Sequence, residues 1–338
     1  TRVTRREDPR LVTGTGAYVA DLRLPELEGA LAVTFVRSTI AHARLLDVDT
    51  TDALELPGVI AVFTAADLDL APPRPRLPWV PKEMARPWLA VDTVRFVGEP
   101  VAMVVAQSAE IAADAAELVI VEVNPLSAVV DPEAAVAPDS TRLFPEVGTN
   151  VACENPCEAD DHLFDGCEVV VSGRMVNQRL AACPLEGRAT AASWDGERLT
   201  VWISTQHVHG AHHAFAAGMG LDPSAIRVIA PDVGGGFGAK IGSYPEDLLT
   251  AWAARRLGRP TRWVETRSES MVGMGHGRAQ VHHFEIGGSR DGRVVAYRLD
   301  VTADGGAYPA MAAFLPTFTR LMAPGTYDIA RVETSSRT

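Results

Sequence analysis

Residues 232–240 read Asp-Val-Gly-Gly-Gly-Phe-Gly-Ala-Lys, a run in which Gly234, Gly235, Gly236 and Gly238 surround Phe237. Residues without a Cβ let the backbone take positive φ and come close to a bound group. Successive amide N–H groups in such a turn can converge on an anion or an oxo group. The run follows a β-rich stretch, Arg227 to Ala230, and precedes a helix expected to start near Tyr244 and to be amphipathic. Strand, glycine turn and helix together are one way to build a polar cofactor site. A tight strand-to-helix turn with no ligand is the simpler alternative. Neither familiar phosphate motif fits. Lys240 is followed by Ile241 and no glycine sits at the P-loop offset, while Ala239 stands where a G-x-G-x-x-G needs its last glycine.

Other residues of chemical interest are less convincing. On a helix, His209 and His213 lie one turn apart, a spacing zinc accepts. No His-Glu-x-x-His base accompanies them, and His207, His209, His212 and His213 are expected to be solvated or packed. Cys153, Cys157, Cys167 and Cys183 are spaced C-x3-C-x9-C-x15-C, which matches no zinc knuckle and no ferredoxin cluster. Reduced thiols in a cytoplasmic protein are the expectation. Glu186 and Arg188 read as a charged pair holding a domain together, ahead of any catalytic role.

The chain that must position these groups has 338 residues, enough for about two domains, with 47% hydrophobic and 22% charged residues. A net charge of −12 argues against a nucleic-acid surface and against anionic membranes. No apolar run approaches the ~20 residues of a membrane span. The N-terminal Thr-Arg-Val-Thr-Arg-Arg has no apolar h-region and no initiating Met, so further upstream residues are expected.

The elements read as α+β. Leu31–Arg37, Gly58–Thr64 and Val101–Ala106 are short, turn-bounded strands, the last apolar enough to be fully buried. Ser108 is placed to cap a helix whose Ile111, Ala115, Leu118 and Val119 share a face. Ala71 to Pro87 holds six of the 23 prolines and reads as an extended excursion, with Trp79 and Trp88 available to pin it. Residues 125–165 read as a linker. Patterned chain resumes with strands from Glu168 and Arg198, and a helix is expected at 209–219, closed by Gly220. A second helix at 244–256 ends in Leu-Gly-Arg-Pro. Asp291-Gly292 between the alternating runs 279–286 and 293–303 predicts a hairpin tip.

Several motifs, in order, resemble the large subunit of molybdenum hydroxylases, the xanthine dehydrogenase, aldehyde oxidase and carbon monoxide dehydrogenase family. They begin with Arg6-Glu-Asp-Pro-Arg-Leu-Val-Thr-Gly14 and Gly16-Ala-Tyr-Val-Ala-Asp21. Arg37-Ser38 through Ala41-His-Ala-Arg44, Val97-Gly-Glu-Pro-Val101 and Pro184-Leu-Glu-Gly-Arg188 follow. Thr205-Gln-His207, Gly234 to Lys240 and Asp304-Gly-Gly-Ala-Tyr308 complete the series, which spans nearly the whole chain.

The resemblance implies a hammerhead α/β domain at 14–124, a linker at 125–165 and the first part of a molybdopterin-binding α/β region at 166–338. It implies a molybdopterin-dependent oxidoreductase that oxidises an aldehyde, an N-heteroaromatic or CO with water as the oxygen source. It also implies that this chain is the N-terminal portion of a large subunit, inactive alone, with the glutamate general base beyond residue 338. The cofactor would be molybdenum-molybdopterin in its cytosine dinucleotide form. Gln206, Gly235, Gly236, Phe237 and Gly238 would contact it; Gln206 and Phe237 would lie beside the metal without ligating it. Gln206 would donate a hydrogen bond to an oxygen of the centre, as a neutral amide can do without titrating. The alternative for Gln206 is a strand-end amide that satisfies local backbone. [2Fe-2S] and FAD would sit on small and medium partner subunits, and another polypeptide would supply the rest of the molybdenum domain. Ile241 stands where purine-oxidising members carry an acid, which disfavours a purine; residues 241–247 look more like the carbon monoxide dehydrogenase branch. A non-catalytic interaction module derived from the family is the competing reading.

Overall fold

The two most apolar strand-like runs, Leu31–Arg37 and Pro100–Ala106, are antiparallel neighbours, with Val33 opposite Val105 and Phe35 opposite Met103. They are neighbouring strands in the main sheet of the first of two units in a computed structural model that describes Val3 and residues 5–338. That unit takes the chain up to Pro72, Pro87–Leu126 and Ala182–Met274; the second takes Pro73–Arg86, Ser127–Ala181 and Gly275–Thr338.

The main sheet of the first unit has seven strands in the order Ile226–Ile229, Leu199–Ile203, Ala189–Trp194, Thr261–Val264, Leu31–Arg37, Pro100–Ala106 and Val59–Phe63. Side chains alternate across a sheet. Leu31, Val33, Phe35, Met103 and Val105 therefore enter one core with Phe215, Leu248, Trp252 and Trp263. Val36, Ala102, Val104 and Ala106 enter another, with Ala112 and Ala115 of the Ala109–Glu117 helix. Both faces are covered, which is why Pro100–Ala106 is apolar at every position. Full burial of each Val or Met of this kind contributes about 2 kcal/mol.

Ser108 caps its helix by accepting the Ile111 N–H, as its sequence position suggested. The helix stops at Glu117, however, and Leu118 is left 39% exposed rather than on the buried face. The following residues turn outward into Ile120–Pro125, which pairs antiparallel with Ala43–Asp49 in a separate three-stranded sheet.

The helix expected from His209 runs Val208–Met219 and ends at Gly220 with φ +62. The helix expected near Tyr244 runs Pro245–Leu257. It is not amphipathic: every residue from Pro245 to Ala254 is buried, because the helix is packed all round until Arg255 and Arg256. Trp88 does anchor one end of the proline-rich stretch, its indole N–H donating to the Ala71 carbonyl at 2.9 Å.

In the second unit, Gly277–Gly288 and Val294–Ala303 form the antiparallel hairpin read from Asp291-Gly292, and Gly292 takes φ +92. Glu154–Asn155, Arg331–Arg337 and Val169–Leu180 complete a five-stranded sheet, with Val169–Leu180 at one edge. Residues 125–165 contribute the short helix Pro132–Ala135 and the strand Glu154–Asn155. Leu77, Val80 and Met84 of the proline-rich stretch pack with Phe144, Ala152 and Ala313. Among the described residues, no helix is long and apolar enough to cross a membrane.

Candidate functional site

Leu199–Ile203 and Ile226–Ile229 run parallel, so the residues that follow each strand emerge at the same end of the sheet. The first delivers Ser204, Thr205 and Gln206; the second delivers the glycine loop. All belong to the first unit.

Two main-chain donors, Gly238 N at 3.0 Å and Lys240 N at 3.2 Å, converge on Gln206 Oε1. Two N–H groups on one atom identify it as the amide oxygen and fix the orientation of the carboxamide. The Gln206 N–H donates in turn to the Lys240 carbonyl at 2.9 Å, and Thr205 Oγ1 donates to the same oxygen at 3.0 Å. Thus the carbonyl half of the side-chain amide serves the local backbone. Its nitrogen half has no hydrogen-bond partner among the described residues, nor have the N–H groups of Gly235, Gly236 and Phe237.

The glycines are required for this approach. A Cβ at Gly236 would collide with the Gln206 carboxamide. Gly235 and Gly238 hold φ +100 and +89, where side chains are strained. Phe237 itself sits at φ +53 and is 76% exposed. Ahead of the loop, Asp232 is stapled to the N-terminal segment. It accepts from the Arg10 guanidinium and from Ala17 N at 2.8 Å, and the Arg10 contact above all holds its carboxyl below the usual range.

Glu186 and Arg188 do not pair with each other. Glu186 Oε2 accepts from Gly234 N at 2.7 Å, Ser204 Oγ at 2.7 Å and Lys240 Nζ at 3.0 Å. Its Oε1 is buried without a partner. Arg188 is 2% exposed and faces Glu265 and Glu246, with Nε 2.9 Å from Glu265 Oε1 and Nη2 3.2 Å from Glu246 Oε1. Arg37 joins the same cluster through Glu246 at 2.9 Å and Glu269 at 3.0 Å. Burial opposes the Arg188 charge, yet the two carboxylates more than offset it and hold its pKa above the ordinary value. The Tyr244 ring lies 4.1 Å from the Arg188 guanidinium carbon. Behind them, burial pushes the Asp247 carboxyl up to about 6 against the pull of Arg188; it accepts from Thr190 Oγ1 at 2.6 Å and Tyr244 N at 2.8 Å.

Gln206 and Gly235 to Gly238 are therefore adjacent, as the motif series implied. Of the histidines, His209, His212 and His213 lie on the Val208–Met219 helix; His212 Nε2 meets the Pro223 carbonyl at 3.0 Å, and its ring lies 5.9 Å from that of His213. Among the described residues, no group of three or more His, Cys, Asp or Glu is arranged to hold a metal ion. Sequence reasoning did not find Ser204, Glu246, Asp247 or Glu265. One signal was available for two of them: Pro245-Glu-Asp opens a helix whose next seven residues are apolar except for Thr250, so its first-turn acids had to be buried.

The donor set fits the cofactor the motifs imply. Neutral N–H groups on glycines and a primary amide can contact the electron-rich oxygens of an oxometal centre or a pterin without placing side-chain bulk in the way.

The molybdopterin cofactor-binding domain family matches residues 143–338, and the a/b hammerhead domain of aldehyde oxidase and xanthine dehydrogenase matches residues 13–127. The chain belongs to the molybdenum hydroxylase family. It is 36% identical to the nicotine 6-hydroxylase large subunit of Paenarthrobacter nicotinovorans over 345 residues, covering 98% of this chain and 42% of that one. It is 35% identical to the carbon monoxide dehydrogenase large chain of Hydrogenophaga pseudoflava, over 99% of this chain and 43% of the relative. The quinoline 2-oxidoreductase of Pseudomonas putida 86 superposes with a TM-score of 0.90 at 36% identity, over 100% of this chain and 44% of the other. The chain thus spans less than half the length of these relatives. Its α+β architecture is that of a hammerhead domain followed by molybdopterin-binding sequence.

Proposed function

We propose that this chain is the part of a hydroxylase large subunit that presents one wall of the molybdenum-cofactor site. In this reading Gln206, Gly235, Gly236, Phe237 and Gly238 contact the cofactor, as molybdenum-molybdopterin in its cytosine dinucleotide form. The observation that carries it is the set of four unpaired donors at one loop: the Gln206 carboxamide nitrogen and three consecutive main-chain N–H groups. Gln206 and Phe237 are exposed, so these donors are open to a ligand, and the glycines beside them keep side-chain bulk out of the way.

When bound, the cofactor supplies two-electron oxidation of a C–H carbon, or of CO, with oxygen taken from water. The chain's own residues orient and exclude. Gln206 donates without changing charge, and its orientation is fixed by Gly238 and Lys240. Phe237, held outward at positive φ, is the side chain of the loop best placed to shield the site once it is covered. Shielding matters because fixed dipoles act more strongly where water is excluded.

The substrate class in this reading is an aldehyde, an N-heteroaromatic or CO. The glutamate base and the remaining cofactor contacts come from polypeptide outside the 338 residues, and [2Fe-2S] and FAD sit on partner subunits. The division into 14–124, 125–165 and 166–338 is kept as one of sequence segments: the family match at 13–127 supports the first, whereas the match at 143–338 begins inside the second and the two compact units cross these bounds. The free state of all four cysteines suits a cytoplasmic setting.

The test is reconstitution. Co-expressed with polypeptide corresponding to the remainder of a family large subunit, the chain is expected to co-purify with stoichiometric molybdenum. Gln206→Ala in that complex is expected to keep most of the metal yet slow its reduction by substrate about 100-fold. Absence of molybdenum from a folded, assembled complex would remove the reading.

A further inference from the structure

Lys240 closes the glycine motif, yet it is 1% exposed and points away from the open donors. Its ammonium uses all three of its hydrogens: 2.8 Å to the Glu186 carbonyl, 3.0 Å to Glu186 Oε2 and 2.8 Å to Ser204 Oγ. The same Glu186 oxygen takes the Gly234 N–H, and Glu186 N donates to the Gly234 carbonyl at 3.2 Å, which fixes the entrance of the loop. At the exit, Lys240 N donates to Gln206 Oε1 while Lys240 O accepts from Gln206 N and Thr205 Oγ1. One residue therefore touches both ends of the loop. Its side chain grips Glu186, and its main chain grips Gln206.

We propose that Lys240 is the positioning residue of this site, coupling the Glu186 carboxylate to the Gln206 carboxamide so that the open donors of residues 206 and 235–237 keep one arrangement. Without the ammonium, Glu186 would face the Gly234 and Ser204 donors alone, in a place where its other oxygen is already buried without a partner. A buried carboxylate left in that condition is destabilised and is driven to move toward water or to take up a proton, and either changes its bond to Gly234. Gly234 follows that change, since a Cβ built on Gly234 lies only 2.5 Å from Glu186 Cβ and the two chains are in contact. The charged groups facing the ammonium are Glu186 beside the loop, Glu265 after the Thr261–Val264 strand and Asp247 in the Pro245–Leu257 helix. Burial lowers the pKa of the ammonium, and Glu186 offsets part of that loss.

The inference rests on the reading of this loop as the cofactor wall, but it is tested on the chain without cofactor. Two measurements are used. First, in Lys240→Met, main-chain exchange at Gly234 and Gly238 at neutral pH is expected to rise tenfold or more, with Leu199–Ile203 unchanged. Second, with ¹³C-labelled Glu and Gln, alkaline titration of the unaltered protein is expected to move the Glu186 and Gln206 side-chain carbonyl signals together. Their common midpoint should lie below the ordinary lysine value of 10.5. In Lys240→Arg, which keeps its charge over that range, neither signal should move. A Glu186 signal that titrates while Gln206 stays still would overturn the coupling, as would unchanged exchange in a folded Lys240→Met. If both results hold but the reconstituted complex binds no molybdenum, Lys240 keeps its role and the cofactor reading fails.

Discussion

Gln206 Oε1 accepts the Gly238 N–H at 3.0 Å, so the strand-end amide and the glycine loop are one hydrogen-bonded object. The two readings open for Gln206 each describe half of the same carboxamide. Its oxygen satisfies backbone, and satisfying backbone is what turns its nitrogen free. Gln206→Glu separates the halves. The carboxylate still accepts from Gly238 and Lys240 but has no N–H to offer. Stability of the chain is expected to change by less than about 1 kcal/mol, in line with an exposed substitution that keeps its acceptor bonds. In the reconstituted complex, substrate-driven reduction of the metal should fall as far as in Gln206→Ala. Retained reduction rates in Gln206→Glu would mean that the amide nitrogen contributes nothing.

Gly236→Ala tests the close approach. The added methyl meets the Gln206 carboxamide, which is tied by its oxygen and cannot rotate away without losing two bonds. Such overpacking costs about 1–3 kcal/mol. Urea unfolding should register the loss. A crystal structure of the variant should place the Gln206 side chain or the loop at a shifted position.

Much of the fold was legible because its signals are local. Leu31–Arg37, Val101–Ala106 and the Asp291-Gly292 hairpin are set by β-branched runs and by a turn residue with positive φ. Ala43–Asp49 and Ile120–Pro125 left a weaker trace, since most of their side chains are not buried, the alternation of the second rests on Val121 and Val123 alone, and an irregularity between Leu45 and Asp47 breaks that of the first. The helix at Pro245–Leu257 was legible in extent but not in environment, because burial of a whole helix depends on what packs around it. The site divides in the same way. The glycine loop and Gln206 are marked by residue type, whereas Glu186 and Arg188 were assigned to each other. Their true partners lie far along the chain: Lys240 is 54 residues from Glu186, and Glu246 and Glu265 are 58 and 77 residues from Arg188. No spacing rule reaches that distance.

Arg188→Met probes the buried cluster. Arg188 is the cation between Glu246 and Glu265, and its removal takes the guanidinium from both buried carboxylates, although Arg37 still reaches Glu246 and the main-chain N–H of residue 188 still donates to Glu265. Breaking a buried pair on one side costs about 3–5 kcal/mol. The expected result is unfolding at correspondingly lower urea. Because a hydrophobic replacement of the whole cluster can be neutral, Glu246→Gln with Glu265→Gln on the same background should recover part of the loss.

The Val169–Leu180 strand makes a separate prediction about solubility. Among the described residues it is an edge strand paired only with Gly277–Gly288, and Val169, Val170, Val171, Met175, Val176 and Leu180 are each between 38% and 58% exposed. Long apolar edges recruit other strands. The purified chain is expected to self-associate with rising concentration. Val171→Lys combined with Val176→Lys, one on each face, should raise the onset of light scattering by about threefold or more. Unchanged onset would assign the association to another surface.

Asp247 gives the chain an unusual pH response. Burial raises its carboxyl to about 6, with Arg188 pulling the other way. The unfolded carboxyl titrates near the ordinary aspartate value of 3.8. Between about pH 4 and 6 the folded protein therefore binds the proton more tightly than the unfolded chain does, and stability falls as pH rises through that window. A difference of about two pKa units corresponds to about 3 kcal/mol, fully lost above pH 6. Glu133 has the opposite sign. Arg174, then His283, hold it down at about 2, so its contribution is present at neutral pH and disappears in acid. That slope is common to wild type and to Asp247→Asn and cancels in their difference. Asparagine can still accept from Tyr244 N, and its NH2 can donate to a reoriented Thr190 hydroxyl. Urea unfolding at pH 4, 5, 6 and 7 should show Asp247→Asn gaining about 2–3 kcal/mol on wild type as the pH rises from 4 to 6. Parallel curves would place the titration elsewhere in the cluster.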